Sequence, residues 1–116
     1  MHSDRVRQRL TDIRENIARV REFTRTMTFE EFVADIKTFY ATIRALEIVS
    51  EAARFLPDDL KAKHPDVDWV AVRDAGNVYR HSYEMVTEER IWDTATKRLD
   101  ALEKAVTAEQ LRYESS

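Results

Sequence analysis

The residues of this chain that could do chemistry lie in one stretch, residues 69–83, which holds the only glycine. Gly76 is followed there by Asn77, His81 and Tyr83. Histidine suits proton transfer because its unperturbed pKa lies near neutrality. In a helix, Asn77 and His81 share a face, since four residues place them about 40° apart around the axis. We therefore expect any reaction to take place beside His81.

Gly76 interrupts what otherwise has the pattern of a helix. A glycine inside a helix costs about 1 kcal/mol relative to alanine, and it usually marks a close approach to the backbone. Trp69, Val72 and Tyr79 recur at helical spacing, and we expect Trp69 and Tyr79 to be core aromatics rather than platforms for stacked bases. The pattern predicts a notch at Gly76 beside a polar, titratable strip.

Composition indicates a single all-α domain spanning residues 1–116. Glycine and proline together number only three, while 35% of residues are charged, which favours long helices with short connections. The chain has no cysteine, so disulfides and thiolate metal sites are excluded. No apolar run could span a bilayer or serve as the core of a signal peptide, which predicts a soluble cytoplasmic protein without a membrane partner. The net charge of −3 argues against a protein that coats nucleic acid.

Four main helices with short connections predict an up-and-down four-helix bundle with one extra short helix. The apolar periodicity predicts a first helix over about 4–23 and a long second helix over about 29–55, the latter begun by a capping box at Thr28. A short turn follows Pro57, and Asp68 caps a third helix from Trp69. The fourth begins at Thr87, and we expect the tail beyond Thr107 to fray.

Charge is uneven along the chain, because residues 1–25 carry seven arginines against four acids. Arg7, Arg14 and Arg21 recur every seven residues along one side of the first helix. One interpretation is a strip that faces phosphate. The other, which charge runs usually favour, is a solvated face paired with acids of the same helix, here Asp4, Asp12, Glu15 and Glu22.

Three further residues could take part in chemistry but have simpler interpretations. Glu47 and Glu51 lie one turn apart and could act as acid and base or bind a metal, yet ordinary pairing with Arg44 and Arg54 is the favoured interpretation. If functional, they would face the strip of His81. His64 precedes a proline in a loop, so we expect it to be exposed and unimportant.

Taken together, these residues resemble the HepT-like branch of the HEPN-domain proteins, the toxin halves of HepT/MNT toxin–antitoxin pairs. No single motif is specific, but their order and spacing match over nearly the whole chain. The matching segments are Phe29-Glu-Glu-Phe32, Leu46-Glu-Ile-Val-Ser-Glu-Ala52, Leu56-Pro-Asp-Asp-Leu-Lys-Ala-Lys-His-Pro65, Trp69, Asn77, His81-Ser-Tyr83 and Trp92.

The resemblance implies a helical homodimer in which the motif helices of two chains face each other across a cleft. Active family members cut RNA without a metal ion, using an arginine, four to six intervening residues and a histidine, so neither metal nor cofactor is expected. His81 matches that histidine. Tyr83 matches the tyrosine to which a cognate MNT-type nucleotidyltransferase antitoxin adds AMP.

The arginine of the family motif does not match, because Gly76-Asn77 stands where the family has Arg-Asn. Arg80 lies one turn after Gly76 and about 40° round the axis, and Arg73 lies before it and about 60° round, so either could reach the same face. Seven residues separate Arg73 from His81, outside the family spacing. Arginine would stabilise the charged phosphorane and Asn77 would orient it, while His81 transfers protons.

The departure at Gly76 leaves two functions open. One is an RNA-cleaving toxin in which Arg80 or Arg73 replaces the missing arginine. The other is a non-catalytic HEPN dimer whose notch at Gly76 serves close dimerisation, or binding of a nucleotide or the nucleotidyltransferase. The two differ in whether the chain alone arrests bacterial growth and whether His81→Ala relieves that arrest.

Overall fold

The computed structural model describes residues 2–82, 84 and 86–115, and within these residues the chain forms seven helices and no strand. They are α1 (His2–Thr24), α2 (Phe29–Ala34), α3 (Ile36–Arg54), α4 (Asp58–Ala62), α5 (Trp69–His81), α6 (Glu88–Lys97) and α7 (Asp100–Ser115). The predicted all-α class is confirmed. None of these helices is both long and apolar enough to cross a lipid bilayer.

Helix α3 packs against α1 on one side and α5 on the other, and α7 packs along α1. The predicted seam of α1 is confirmed, because its apolar residues at alternating steps of four and three are all buried. They are Val6, Leu10, Ile13, Ile17 and Val20. As a result, α3 packs against both α1 and α5 and shares one hydrophobic core with α1.

The predicted second helix is in fact two helices, because the chain leaves the helical conformation at Asp35, with ψ of 89°. The Asp35 carboxylate accepts a hydrogen bond from the Thr38 amide at 3.0 Å. That bond starts α3 and competes with continuing the preceding helix. The backbone amide of Thr38 also lowers the pKa of Asp35 below its usual value. The predicted capping box at Thr28 is confirmed at the start of α2.

The predicted fourth helix is also interrupted, between Lys97 and Asp100. Leu99 is buried at this interruption, and the Arg98 side chain turns back to pair with Asp93 on α6. A hydrophobic pattern cannot reveal such a break, because Leu99 remains in phase with the stripe on both sides. Thr87 caps α6 as predicted, accepting a hydrogen bond from the Arg90 amide.

The three heptad arginines of α1 bind α7. Arg7 donates to the Tyr113 carbonyl and Arg14 to the Gln110 side chain, each at 2.7 Å. Arg21 donates to Asp100 at 2.8 Å and to Glu103 at 3.0 Å. Of the ion pairs expected between these three arginines and acids of α1 itself, Arg7–Asp4 is present, with nitrogen and oxygen 3.8 Å apart.

These contacts account for the heptad spacing by helix packing. They also explain why the expectation that the tail beyond Thr107 frays is wrong: α7 continues as a helix to Ser115.

The expectation that His64 is exposed and unimportant is wrong. Its Nε2 lies 2.6 Å from Oε2 of Glu109, and the two side chains are only 19% and 3% exposed. The connection from α4 to α5 is fixed at the same place, because the Trp69 indole donates to the carbonyls of Lys61 and His64. His64 thereby pairs with the buried carboxylate of Glu109, which lies far from it in the sequence.

Replacing His64 tests this contact. His64→Ala should lower the free energy of unfolding by roughly 1–3 kcal/mol, because a buried oxygen of Glu109 loses its hydrogen-bond partner. Urea denaturation followed by circular dichroism measures the change. The matched control is Arg112→Ala, which removes an exposed guanidinium 3.5 Å from the other oxygen of Glu109 and should cost less than about 1 kcal/mol. Equal losses in the two variants would contradict the assignment.

Candidate functional site

The sequence places His81 at the end of α5. The Asp68 carboxylate accepts a hydrogen bond from the Ala71 amide at 3.0 Å, which confirms the predicted cap. At the other end, the Ser82 amide donates to the Val78 carbonyl. The helix therefore presents its last turn, and with it His81, beside the loop that leads to α6.

Gly76 is buried where α5 crosses α3. A Cβ atom added at Gly76 would lie 2.0 Å from Oγ and 2.8 Å from Cβ of Ser50, far inside van der Waals contact. Ser50 Oγ donates a hydrogen bond of 2.6 Å to the Val72 carbonyl, one turn earlier on α5. The Ser50 hydroxymethyl group thus occupies the space that a side chain at position 76 would need. This contact within one chain accounts for the glycine, and a role for Gly76 in a dimer cleft stays a prediction.

The side chain of Arg80 folds back over Gly76. Its Nη2 donates to Asn77 Oδ1 at 2.9 Å, and its Nη1 lies 3.1 Å from Glu51 Oε2 on α3. This second contact is an ion pair by distance, although its geometry does not align as a hydrogen bond. Nη1 also lies 3.3 Å from the position that a Cβ of residue 76 would take. The structure therefore brings together Arg80, Asn77, Gly76 and Glu51.

Arg73, the other candidate for the missing arginine, points elsewhere. Its Nε and Nη2 each lie 3.2 Å from Oδ1 of Asp74, the next residue along the chain. About half of the Arg73 side chain is exposed. Of the two arginines, it is thus Arg80 whose guanidinium lies against Gly76.

His81 is the exposed last residue of α5. Among the residues that the structure describes, none donates a hydrogen bond to its ring or accepts one from it. Tyr83, the predicted site of AMP addition, lies outside the described residues. The structure thus places Arg80 and Asn77 together, with His81 next in sequence to Arg80 and open to a substrate.

Of the two candidate carboxylates on α3, only Glu51 contacts α5. It binds Arg80 and also lies 3.8 Å from Arg54. Glu47 instead pairs with Arg44 on its own helix. Within the described ranges, no group of three or more histidines or carboxylates is arranged to hold a metal ion.

Trp69 and Tyr79 pack against the core, as predicted. Burial raises the pKa of Tyr79, and a hydrogen bond with Thr94 only partly opposes that shift. Ser50 is the site residue that sequence reasoning missed. Its signal was a small polar residue directly before Glu51 on α3, but nothing in the sequence pairs position 50 with position 76.

The arrangement offers an exposed imidazole and, one residue earlier, a guanidinium fixed by an amide and a carboxylate. An imidazole can accept and donate protons near neutral pH. A guanidinium presents a permanent positive charge with planar donors that match phosphate oxygens. These two groups can serve chemistry at a phosphodiester.

Comparison with known proteins identifies relatives over most of the chain. The family model described as "Ribonuclease HepT-like" matches residues 13–109. The "Probable ribonuclease HepT" of Thermococcus cleftensis is 39% identical over 93 residues, covering 80% of this chain and 84% of the relative. In Methanocaldococcus jannaschii, "Putative RNase MJ0127" is 39% identical over 94 residues, covering 81% of this chain and 78% of that protein. A second protein of that organism, "Putative RNase MJ1380", is 33% identical over 97 residues, covering 84% of this chain and 89% of the relative. No solved structure matches the chain significantly.

The contact between Gly76 and Ser50 can be tested by stability. Alanine in a free helix is favoured over glycine by about 1 kcal/mol, yet Gly76→Ala should lower the free energy of unfolding by roughly 1–3 kcal/mol, because the new methyl group collides with Ser50. On a Ser50→Gly background the obstacle is gone, so the same substitution should cost much less. Urea denaturation of the four proteins gives the coupling free energy. A coupling of zero would show that Ser50 is not the obstacle.

Proposed function

The chain belongs to the HepT-like ribonuclease family, and from this premise we propose that it is a toxin that cleaves RNA, without a metal ion, at a cleft shared by two copies of the chain. The observation that carries the proposal is the position of Arg80, whose Nη1 lies 3.3 Å from where a side chain of residue 76 would begin. A guanidinium therefore lies next to the residue at which the family resemblance expects an arginine. His81 follows directly in sequence.

Cleavage of RNA by its own 2′-hydroxyl needs two proton transfers. A neutral imidazole accepts the proton of the 2′-hydroxyl as its oxygen attacks phosphorus, and an imidazolium donates a proton to the 5′-oxygen as its bond to phosphorus breaks. His81 from one chain performs the first transfer in this proposal, and His81 from the second chain performs the second. Histidine is suited to both because both of its protonation states are populated near neutral pH.

The exposure of His81 in the single chain supports this arrangement. A C2 interface buries the same surface patch on both chains. An exposed helix end with a free imidazole can therefore be covered by its own copy, which brings two rings to one cleft. Exclusion of water there would strengthen the attraction between Arg80 and the charged phosphorane.

Arg80 supplies the positive charge in this mechanism. Its partner Glu51 is 39% exposed, and ion pairs with that much solvent contribute little free energy. A phosphate group carrying full charge can therefore compete with Glu51 for the guanidinium. In this proposal the planar guanidinium turns as a whole toward the phosphate, which releases Glu51 and exposes the buried Nη1.

Regulation follows from the position of Tyr83, two residues after His81. In this proposal a cognate nucleotidyltransferase acts as the antitoxin. The Tyr83 hydroxyl attacks the α-phosphorus of ATP, pyrophosphate leaves, and the tyrosine carries AMP. The added phosphate introduces bulk and negative charge beside the cleft, which repels RNA by the rules that govern phosphorylation.

Substitution of the proposed active groups tests the mechanism. His81→Ala should lower the rate of RNA cleavage about 10²- to 10⁴-fold, since it removes general acid–base catalysis. Arg80→Ala should lower it about 10²- to 10³-fold, the usual cost of removing one group that stabilises transition-state charge. Arg73→Ala is the matched control and should leave the rate nearly unchanged. Cleavage of a fluorescent single-stranded RNA in EDTA measures all three.

Four results would contradict the proposal. Loss of wild-type cleavage in EDTA would exclude a metal-free reaction, and equal effects of Arg73→Ala and Arg80→Ala would remove the assigned role of Arg80. Light scattering of the wild-type sample should give the mass of two chains, and the mass of one would rule out the shared cleft. A chain that cuts no RNA and does not arrest growth would instead be a non-catalytic module.

The modification is tested by intact-protein mass spectrometry. After incubation with ATP and an MNT-type nucleotidyltransferase, the wild-type chain should gain the mass of one or more AMP groups, and Tyr83→Phe should gain none. Tyr79→Phe is the control, because its ring packs against the core, and it should be modified like the wild type. Modified wild-type protein should also lose RNA cleavage. Retained modification in Tyr83→Phe would assign the acceptor elsewhere.

A further inference from the structure

A groove of about 250 Å³ opens between α1, α3 and α5, and Arg80 is part of its lining. Its charged lining comprises four arginines and three carboxylates. We call it the arginine groove; its charged residues are Arg9, Asp12, Arg44, Glu47, Glu51, Arg54 and Arg80. The arginines outnumber the acids, so the groove carries net positive charge on a chain whose overall charge is −3.

An exposed aromatic ring contacts two of the arginines that line this groove. Phe55, directly after α3, is 51% exposed. The guanidinium carbon of Arg9 lies 4.7 Å from the centre of its ring, and that of Arg54 lies 5.2 Å away. We call these three residues the Phe55 platform. A phenylalanine that is half exposed contributes little to the core, so packing alone does not explain two cations gathered on its ring.

The charges of the groove are unequally compensated. Glu47 pairs with Arg44, and Glu51 is shared between Arg80 and Arg54. In the parts of the chain that the structure describes, no carboxylate lies within ion-pair distance of Arg9, although Asp12 lines the same groove, and the Arg9 guanidinium lies over the Phe55 ring. Arg9 therefore retains its capacity to bind an anion.

The platform and the site of Arg80 are connected. Arg54 of the platform lies 3.8 Å from Glu51, and Glu51 lies 3.1 Å from Arg80. A ligand that followed the groove from Phe55 would thus pass Arg54 and Glu51 before it reached the guanidinium beside Gly76. The matching ligand has flat apolar surfaces and regularly spaced negative charges.

Single-stranded RNA has this chemistry, and we propose that the Phe55 platform and the arginine groove together form a binding subsite for the strand next to the cleaved bond. This inference rests on the proposed ribonuclease function. An unpaired base stacks on the Phe55 ring and its guanidinium neighbours, as bases do on aromatic rings and arginine planes. The backbone phosphates then pass Arg54 on the way to Arg80. Bases paired in a duplex are not available to such a platform.

The experiment measures RNA binding separately from cleavage. Fluorescence anisotropy with a labelled single-stranded RNA is carried out on the His81→Ala protein, in which the strand stays intact. Adding Phe55→Ala should weaken binding roughly 5- to 100-fold, the loss that follows from removing one stacked base. The matched control is Tyr40→Ala, which removes an aromatic ring of α3 that is 65% exposed and lies outside the groove. It should leave binding unchanged.

Two further variants separate stacking from a general loss of structure. Phe55→Tyr keeps an aromatic ring and should bind RNA like the parent, whereas a merely structural effect of Phe55→Ala would appear as lowered thermal stability. Arg9→Ala should reduce the slope of log affinity against log salt by about 0.7, the value for one phosphate contact on a single strand. Duplex RNA of the same sequence should show no dependence on Phe55.

The outcomes distinguish this inference from the function on which it rests. If the wild type cleaves RNA while Phe55→Ala binds and cleaves equally well, the subsite is wrong and the ribonuclease stands. If RNA binds through Phe55 but is never cleaved, the subsite stands and the catalytic proposal fails. Equal loss of duplex binding in Phe55→Ala would overturn the stacking role. Absence of any RNA binding by the wild type would overturn both, and would leave an acidic protein partner as the occupant of the groove.

Discussion

The candidate site depends on one contact, in which the hydroxymethyl group of Ser50 fills the space where residue 76 has no side chain. Because Ser50 also donates to the Val72 carbonyl, it fixes both the distance between α3 and α5 and the rotation of α5 about its axis. That rotation directs the Arg80 side chain toward α3, where it pairs with Glu51, the residue after Ser50. A side chain at position 76 would push the helices apart, and the ion pair of Arg80 would lengthen with them.

Helix α3 joins the two halves of the proposed RNA surface. Glu51 stands one residue after the Ser50 contact and Phe55 one turn further on, so the spacing between Arg80 and the Phe55 platform is set by a single rigid element. The opposite side of α3 packs on the seam of α1, whose own surface contributes Arg9 to the platform. Binding groups on helices are held more firmly than groups on loops, and pre-organised groups lose less entropy when the ligand binds.

The sequence predicted features that depend on neighbours along the chain. The caps by Thr28, Asp68 and Thr87 each need only a side-chain oxygen and an amide three residues later. The buried seam of α1 needs only helical periodicity. The break at Asp35 also has a local cause, because the Asp35 carboxylate accepts a hydrogen bond from the Thr38 amide. It was missed because the apolar stripe continues through the break unchanged. Hydrophobic spacing alone cannot distinguish a continuous helix from two helices in phase.

Features that depend on distant residues could not be read in this way. His64 has the surroundings of an exposed loop residue, and only the fold brings Glu109 to it across 45 positions. The heptad arginines of α1 likewise found partners on α7 that no rule of local pairing indicates. For Gly76 the sequence predicted a close approach but not the residue that makes it, since nothing in the sequence pairs position 76 with position 50.

Positions 50, 76 and 80 therefore have to be considered as a set. An arginine at position 76 cannot coexist with Ser50 in this packing, because its Cβ would lie 2.0 Å from the serine oxygen. With glycine at 76, Ser50 fills the space in front of α5 and Nη1 of Arg80 lies 3.3 Å from the position that a Cβ of residue 76 would take. Arg80 lies one helical turn after position 76 and on nearly the same face, about 40° round the axis. Where the family motif has an arginine, this chain thus has a glycine covered by Ser50, with the guanidinium of Arg80 beside it.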